Sequence, residues 1–184
     1  MATLTYGENV AKSRATPPVI YAQGSGLYRI PWSYTVGEAT AYTSGGTIAL
    51  VTTDVVHICK LPAGCKVILP LSYMKVSADT GGTSSIDVGW TAYKDKNNAT
   101  IAADPDGMIN GFLSGNILNY ALNDATQTPY GAGTPAVSAN GVLDFTDAME
   151  EITVTLTCLD SGGTFDGDVA DVWSGWFIVE YGGN

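Results

Sequence analysis

The sequence predicts an all-β fold, a jelly-roll-like β-sandwich with an extended N-terminal arm. Composition is the first indication, because only 14% of the 184 residues are charged and 22 are glycine. Such a chain forms helices poorly and strands and turns well. The second indication is that short apolar segments alternate with polar residues at a period of two. The third is that turn-forming residues separate roughly eight of these segments, the number of strands in a jelly roll.

The first 31 residues show no clean periodicity, and the sequence Thr16-Pro17-Pro18 favours extended backbone. We therefore expect residues 1–31 to form an extended arm that becomes ordered only where it docks. An ordinary first strand is an open alternative for residues 19–22. Residues 32–184 are expected to form a single β-sandwich domain, a size that one all-β domain commonly reaches.

Segment 54–71 gives the clearest strand signal in the domain. Two apolar runs rich in β-branched residues flank Pro62-Ala63-Gly64, so we expect two antiparallel strands joined by a tight turn. Segment 108–120 is ambiguous between a short helix and extended structure, and its two glycines favour the extended form. The other predicted strands cover residues 30–34, 47–51, 73–76, 85–93, 151–158 and 172–181.

Two of these segments alternate strictly. In segment 85–93, Asp87 and Gly89 lie opposite an apolar face made of Ile86, Val88 and Trp90, which predicts a half-buried strand. In segment 151–158 the threonines are expected to face outward, and the inward residues are Ile152, Val154 and Leu156. Between the two, Asp-Pro-Asp-Gly at 104–107 predicts a turn.

The only histidine, His57, is the side chain best suited to acid–base chemistry near neutral pH. If alternation holds, it shares a strand face with Cys59, and such a pair can serve as base and nucleophile or as two metal ligands. However, no CxxC or HxxxH motif adds further ligands, and no G-x-S-x-G elbow is present. We therefore interpret His57 as structural. Cys59 and Cys65 are interpreted as free buried thiols rather than as a disulfide.

Aspartates cluster at 104–106 and in the glycine-rich segment 160–171, where oxygen ligands could bind calcium. Neither cluster matches the EF-hand loop, and Asp and Gly are the best turn formers, so solvated turns are the favoured interpretation. No pattern brings two carboxylates together for glycoside hydrolysis. We expect no enzymatic activity, no cofactor and no metal site.

The four tryptophans offer aromatic faces that could line a sugar site. Trp90 lies on the apolar side of its strand, so core packing is the favoured interpretation for it. Trp173 and Trp176 have opposite parity on the last strand, so one of them is expected to face outward. Because an outward tryptophan on a terminal strand suits a subunit contact, we predict an oligomer interface at Trp173 and Trp176.

The net charge of the chain disfavours two classes of partner. The formal net charge is −10, which disfavours direct nucleic-acid binding, since phosphate contacts need a basic footprint. The same argument disfavours an anionic membrane surface. The charge is also uneven, because residues 1–31 carry a net +2 and residues 32–184 carry a net −12.

Three of these segments carry a family resemblance. Residues 57–64 (HICKLPAG), 85–89 (SIDVG) and 104–107 (DPDG) follow one another in the chain. In this order they resemble a strand-turn-strand, an "S.D.G" strand and a "D..G" turn of small virion structural proteins of tailed bacteriophages. These are head decoration or cement proteins, and the resemblance covers roughly residues 50 to 112.

The resemblance implies a jelly-roll-like subunit, commonly trimeric, that binds the outside of the phage head and clamps neighbouring major capsid proteins. It also implies synthesis in the bacterial host cytoplasm and an arm that reaches across the shell. Basic side chains of the arm would orient it on an acidic capsid surface, and apolar ones would supply affinity. The candidates are Lys12, Arg14, Val19, Ile20, Tyr21, Tyr28 and Arg29. The alternatives are another virion component, such as a tail or head fibre domain, or a carbohydrate-binding module.

Overall fold

The structure is a computed structural model that describes residues 4–6, 26–36, 50, 53–76, 84–113, 118–121, 140–160 and 172–181. These residues form strands, turns and one short 3-10 turn at Leu69–Leu71, which confirms the predicted all-β class. In chain order the strands are β1 (Leu4–Tyr6), β2 (Gly26–Thr35), β3 (Val55–Leu61), β4 (Cys65–Ile68), β5 (Tyr73–Val76), β6 (Ser84–Trp90), β7 (Tyr93–Lys94), β8 (Thr100–Ile101), β9 (Asp104–Leu113), β10 (Leu118–Ala121), β11 (Val142–Asp144), β12 (Ile152–Asp160) and β13 (Val172–Tyr181).

The strands form two large sheets and one small ribbon. The first sheet has the order β1-β3-β12-β6-β9. In the second sheet, β13 pairs along its whole length with β2 and, on its other side, with β4 and β5, which lie end to end. Strands β11 and β10 extend this sheet beyond β4 and β5. All of these pairs are antiparallel except β1 with β3, and β7 pairs with β8 separately.

The connectivity of the two sheets is that of a jelly roll. Strands β4 and β5 act as one interrupted strand, and so do β10 and β11, which leaves eight principal strands from β2 to β13. Numbered in chain order, these run 1-8-3-6 across the second sheet and 2-7-4-5 across the first. This is the double Greek-key order, so the predicted jelly-roll sandwich is confirmed.

The hydrophobic core lies between the sheets and follows from the alternation in their strands. Strand β12 buries Ile152, Val154 and Leu156, as predicted. Strand β13 contributes three more buried side chains from the opposite sheet: Trp173, Phe177 and Val179. Burying a side chain of this size contributes roughly 1.5–3 kcal/mol. The alternation therefore determines which faces of the two sheets meet.

The Pro62-Ala63-Gly64 turn carries the chain from one sheet to the other. Strand β3 pairs with β1 and β12 in the first sheet, whereas β4 pairs with β13 and β11 in the second. The predicted antiparallel pairing of these two strands is therefore wrong, although both strands exist. Each buries one apolar face, and a crossing turn lets those faces meet across the core. Gly64, at φ +74°, permits the bend.

Strand β6 is buried on both faces, which corrects the predicted half-buried strand. Its outward Asp87 is only 8% exposed. The segment 104–107, predicted as a turn, is instead part of β9 and forms a wide irregularity beside β6. Between the pairs Val88–Ile109 and Trp90–Asp104, the register advances two residues along β6 and five along β9. The extra residues of β9 fold over the outer face of β6.

Two glycines make this close approach possible. A Cβ at Gly89 would lie 1.9 Å from the backbone oxygen of Asp104, and one at Gly107 would lie 2.2 Å from the Trp90 ring. The motifs at 85–89 and 104–107, distant in sequence, thus meet at one packing point. The Trp90 ring also contacts Phe145 edge-on, with ring centroids 5.2 Å apart.

Two remaining predictions concern segments near strand ends. Segment 108–120 is extended where the structure describes it, since it contributes to β9 and β10; the extended interpretation is confirmed. Of segment 47–51, only Leu50 is described, and it is buried.

The arm boundary placed after residue 31 falls inside β2. This strand begins at Gly26 and forms ten residue pairs with β13. Gly26, Leu27 and Arg29 at the start of β2 are exposed, so this part of the strand shows no alternation of buried and exposed residues. Residues 7–25, including the alternative strand at 19–22, lie outside the described residues.

Candidate functional site

His57 lies half-buried on the outer face of β3, in register with Thr155 of β12. The predicted face shared with Cys59 is wrong, because the β3–β12 register shifts at this point. This bulge leaves Ile58 and Cys59 both fully buried. The histidine and the thiol therefore point in different directions and do not form a base–nucleophile pair.

The cysteines are packing residues. Cys59, Cys65 and Cys158 are free and buried, which agrees with the expectation of free thiols at Cys59 and Cys65. Burial is the largest cause that raises the pKa of Cys65 to about 12, and it raises the pKa of Cys59 and Cys158 further. Since the thiolate is the nucleophilic form, these side chains are unreactive near neutral pH.

The two acidic clusters, at 104–106 and 160–171, contain oxygen atoms of the kind that bind calcium. In the part of the chain that the structure describes, no three His, Cys, Asp or Glu side chains come together to hold a metal ion. At the first cluster, Asp106 accepts a 2.8 Å hydrogen bond from the Asn110 amide, an ordinary surface contact. Residues 161–171 of the second cluster lie outside the described residues. Among the ranges given above, no helix has the length and apolar character needed to cross a membrane.

Three of the four tryptophans are core residues. Trp32, Trp90 and Trp173 are between 1% and 3% exposed. Trp173 therefore cannot contribute to a surface, and the interface predicted at Trp173 and Trp176 is reduced to Trp176. The reason is the alternation in β13, which points Trp173 inward beside Tyr34 and Trp176 outward.

Trp176 stands at the centre of the outer face of the second sheet. Its ring stacks on Tyr73 with centroids 4.4 Å apart and planes inclined by 18°. The Arg29 guanidinium lies 4.1 Å from the Trp176 ring centroid, and the indole N–H donates to the Leu71 carbonyl at 3.2 Å. Strands β2 and β5 flank β13 on opposite sides, so Arg29 and Tyr73 cover opposite faces of the indole.

The contacts on both faces of the Trp176 ring disfavour stacking of a sugar on this side chain. Carbohydrate-binding aromatic residues present an open ring face, whereas both faces of Trp176 are occupied and the other tryptophans are buried. The Trp176 side chain is half-buried, and a protein surface packs against aromatic side chains through area rather than through one ring face.

We call the surface around Trp176 the outer patch, and it combines apolar with basic side chains. Leu71 is 54% exposed, and Ile178 adjoins Trp176 on the same face of β13. Neither Arg29 nor Lys75 lies within salt-bridge distance of an acidic side chain among the described residues. The outer patch therefore consists of Arg29, Leu71, Tyr73, Lys75, Trp176 and Ile178.

An interruption between β4 and β5 builds the outer patch. The 3-10 turn Leu69–Leu71 separates the two strands, so the middle of β13 has no backbone partner on that side. The buried Ser72 hydroxyl replaces it: this oxygen accepts from the Ile178 N–H at 2.9 Å and donates to the Ile68 carbonyl at 2.9 Å. The turn thereby projects Leu71 into solvent beside Trp176.

The predicted arm residues fall into two groups. Tyr28 and Arg29 belong to β2, where Tyr28 packs against the core and Arg29 lies on Trp176. The other candidates lie outside the described residues: Lys12, Arg14, Val19, Ile20 and Tyr21. The patch members Leu71, Tyr73 and Lys75 were missed, because only the β5–β13 register brings them beside Trp176.

Comparisons with known proteins find a similar fold but no matching family. No family model and no curated protein sequence matches the chain. Among solved structures, a chain in the structure titled "Capsid of Ralstonia phage GP4" matches with a TM-score of 0.56 and 12% sequence identity. The match covers 99% of this chain and 100% of that one. At this identity the similarity shows a shared fold.

Proposed function

We propose that this chain is a structural protein of a phage virion, of the cement or decoration type. In this role it binds the outer surface of the head and stabilises contacts between major capsid proteins. The observation that carries the proposal is the jelly roll that this chain shares, from end to end, with a chain of a phage capsid structure. The motifs at 57–64, 85–89 and 104–107 support the same group.

The side chains favour binding over catalysis. The histidine and the nearest thiol point apart, and the cysteines are buried with raised pKa values. The exposed features are instead suited to contacts with other proteins: few charges, an apolar and basic outer patch, and exposed Leu71 and Met149. A protein that binds only the assembled shell stabilises it by mass action, so such a role needs no chemistry.

The capsid contact is assigned to the segment that precedes β2. Tyr28 and Arg29 already have partners within the sandwich, so the contact is carried by Lys12, Arg14 and the apolar residues 19–21. This segment is basic, whereas residues 32–184 carry a net −12. Docking through it would turn the acidic body away from the shell. The subunit is proposed to be a homo-oligomer, with a trimer favoured.

The test is co-sedimentation of the purified full-length chain with shells of the phage that encodes it. The double variant Lys12→Glu/Arg14→Glu is expected to weaken binding by at least about tenfold, because it reverses the charge of the docking segment. The control Ala102→Glu/Ala103→Glu adds negative charge to an exposed loop and should bind like the natural chain. If the arm variant saturates shells at the natural protein's concentration, the assignment is wrong.

A further inference from the structure

The loop between β11 and β12 presents the most exposed large hydrophobic side chain among the described residues. Met149 is 65% exposed, more than Leu27, Leu71 or Val172. A methionine in this setting is an adaptable contact residue, since its thioether chain fits irregular surfaces. We call residues 145–151 the Met149 loop.

The Met149 loop is held rigidly by its neighbours. The Met149 N–H donates to the Lys94 carbonyl at 2.8 Å, and the Ala148 N–H donates to the Phe145 carbonyl at 2.9 Å. Phe145 anchors the base of the loop, with its ring edge-on to Trp90 and Tyr93. The backbone that carries the exposed methionine is therefore fixed, so binding orders the side chain but not the loop, which limits the entropy lost on binding.

The acid next to Met149 forms no salt bridge with the described residues. Glu150 is exposed, and its Oε1 accepts a 2.7 Å hydrogen bond from the backbone N–H of Lys94. The neighbouring acids are paired, Asp147 with Lys96 and Glu151 with Lys60. In contrast, no basic side chain of the described residues lies within salt-bridge distance of Glu150.

The outer patch has the complementary character. It offers the exposed Leu71 and the half-buried Trp176 as apolar contacts. Beside them lie Arg29 and Lys75, two of the three described cations that form no salt bridge. The third is Lys94, whose Nζ donates to the Asn98 carbonyl and the Thr100 hydroxyl. The Met149 loop thus carries an exposed apolar side chain beside an acid without a salt bridge. The outer patch carries apolar side chains beside cations without a salt bridge, so the two surfaces are complementary.

We propose that the outer patch of one copy binds the Met149 loop of a second copy of this chain. In this contact Met149 packs on Leu71 and Trp176, and Glu150 lies against Arg29 and Lys75. The two surfaces share no residue, so the contact is heterologous, and such contacts close into rings when the rotation permits. This inference deepens the proposed function and rests on its homo-oligomeric subunit.

The test is a charge exchange in the isolated full-length protein, measured as mass against concentration by analytical ultracentrifugation. Arg29→Glu/Lys75→Glu and Glu150→Lys should each raise the dissociation constant of the oligomer by at least about tenfold. The triple variant Arg29→Glu/Lys75→Glu/Glu150→Lys should recover most of the affinity. Ala103→Glu, exposed and outside both surfaces, is the matched control, and circular dichroism verifies folding of each variant.

The inference is overturned if the natural chain is monomeric at all concentrations, if the single-surface variants keep the natural mass, or if the triple variant does not recover. Met149→Ala gives an independent readout, since it should weaken the oligomer without changing charge. Binding to shells is scored separately on the same variants. A natural chain that oligomerises but does not bind shells counts against the proposed function. Single-surface variants that bind shells and keep the natural mass count against this contact alone.

Discussion

At the scale of single residues, the packing around Trp90 depends on two positions that have no side chain. Gly89 allows the backbone of Asp104 to pass over β6, and Gly107 gives space to the Trp90 ring. The sequence pattern around these glycines carries the family resemblance, and the structure gives the pattern a physical meaning. It describes a close approach between β6 and β9 rather than a binding site.

Replacing Gly89 with alanine is therefore expected to lower the free energy of unfolding by about 3 kcal/mol or more. The new Cβ would lie 1.9 Å from a backbone oxygen, which no side-chain rotation can relieve. Gly64→Ala is the control, because its φ of +74° costs a side chain about 1 kcal/mol but nothing lies within 4 Å of the added Cβ. Equal losses in urea denaturation would contradict this account.

The buried thiols predict a loss of stability in alkaline solution. Burial raises the pKa of Cys65 from 9.0 to about 12. A group whose pKa is higher in the folded protein stabilises the fold below about pH 9, and this contribution is lost as the pH rises toward 12. For Cys65 the free energy of unfolding should fall by about 1 kcal/mol between pH 9 and pH 10.

The measurement compares urea denaturation of the natural chain and Cys65→Ala at pH 8, 9 and 10. The variant is less stable at every pH because it leaves a cavity, but its alkaline slope should be smaller. Parallel pH profiles for the two proteins would show that Cys65 does not contribute in this way.

At the scale of elements, the interruption between β4 and β5 creates the outer patch on an otherwise regular sheet. Leu69–Leu71 leaves the strand path and returns to it at Tyr73. This detour exposes Leu71 and aligns Tyr73 with Trp176. The backbone groups that lose their ladder partners are satisfied by one hydroxyl, that of Ser72.

Ser72→Ala should accordingly destabilise the protein by about 2 kcal/mol, because the Ile178 N–H and the Ile68 carbonyl lose a buried partner. Amide hydrogen exchange at Ile178 should become faster, since its hydrogen bond is removed. Ser174→Ala, half-buried on the outer face of the same sheet, is the matched control and should change stability by less than about 0.5 kcal/mol. Unchanged exchange at Ile178 would contradict the bridging role.

Sequence reasoning predicts these elements better than it predicts their partners. The alternation in β12 and β13 places both strands and most of their inward residues, because burial on one face imposes a period of two. Turn residues are less informative. Pro and Gly occur both in the turn that joins β3 to β4 across two sheets and in the irregularity of β9. Which outcome occurs depends on contacts that are distant in sequence.

The same limit applies to the outer patch. Parity on β13 predicts that one tryptophan faces outward, and Trp176 does so. Parity cannot tell which of the two does, because that depends on which face of β13 meets the other sheet. The contributions of Leu71, Tyr73 and Arg29 depend on the pairing of β13 with β5 and β2, more than a hundred residues away in the chain.

At the scale of the whole molecule, the described part of the jelly roll offers distinct surfaces. One face of the second sheet carries the apolar and basic outer patch, one end carries the Met149 loop, and residues 1–25 precede the first principal strand. The net charge of −10 over the whole chain favours solubility. This division suits a subunit that binds a shell through one segment and its own copies through others.

The measurement that tests the central proposal most directly is binding of the purified chain to intact shells of the phage that encodes it, followed by electron cryomicroscopy of the particles. The account predicts saturable binding at a fixed ratio to the major capsid protein, with density for the jelly roll on the outer surface of the head. A chain that stays in the supernatant at all concentrations, or that lies elsewhere on the particle, would contradict it.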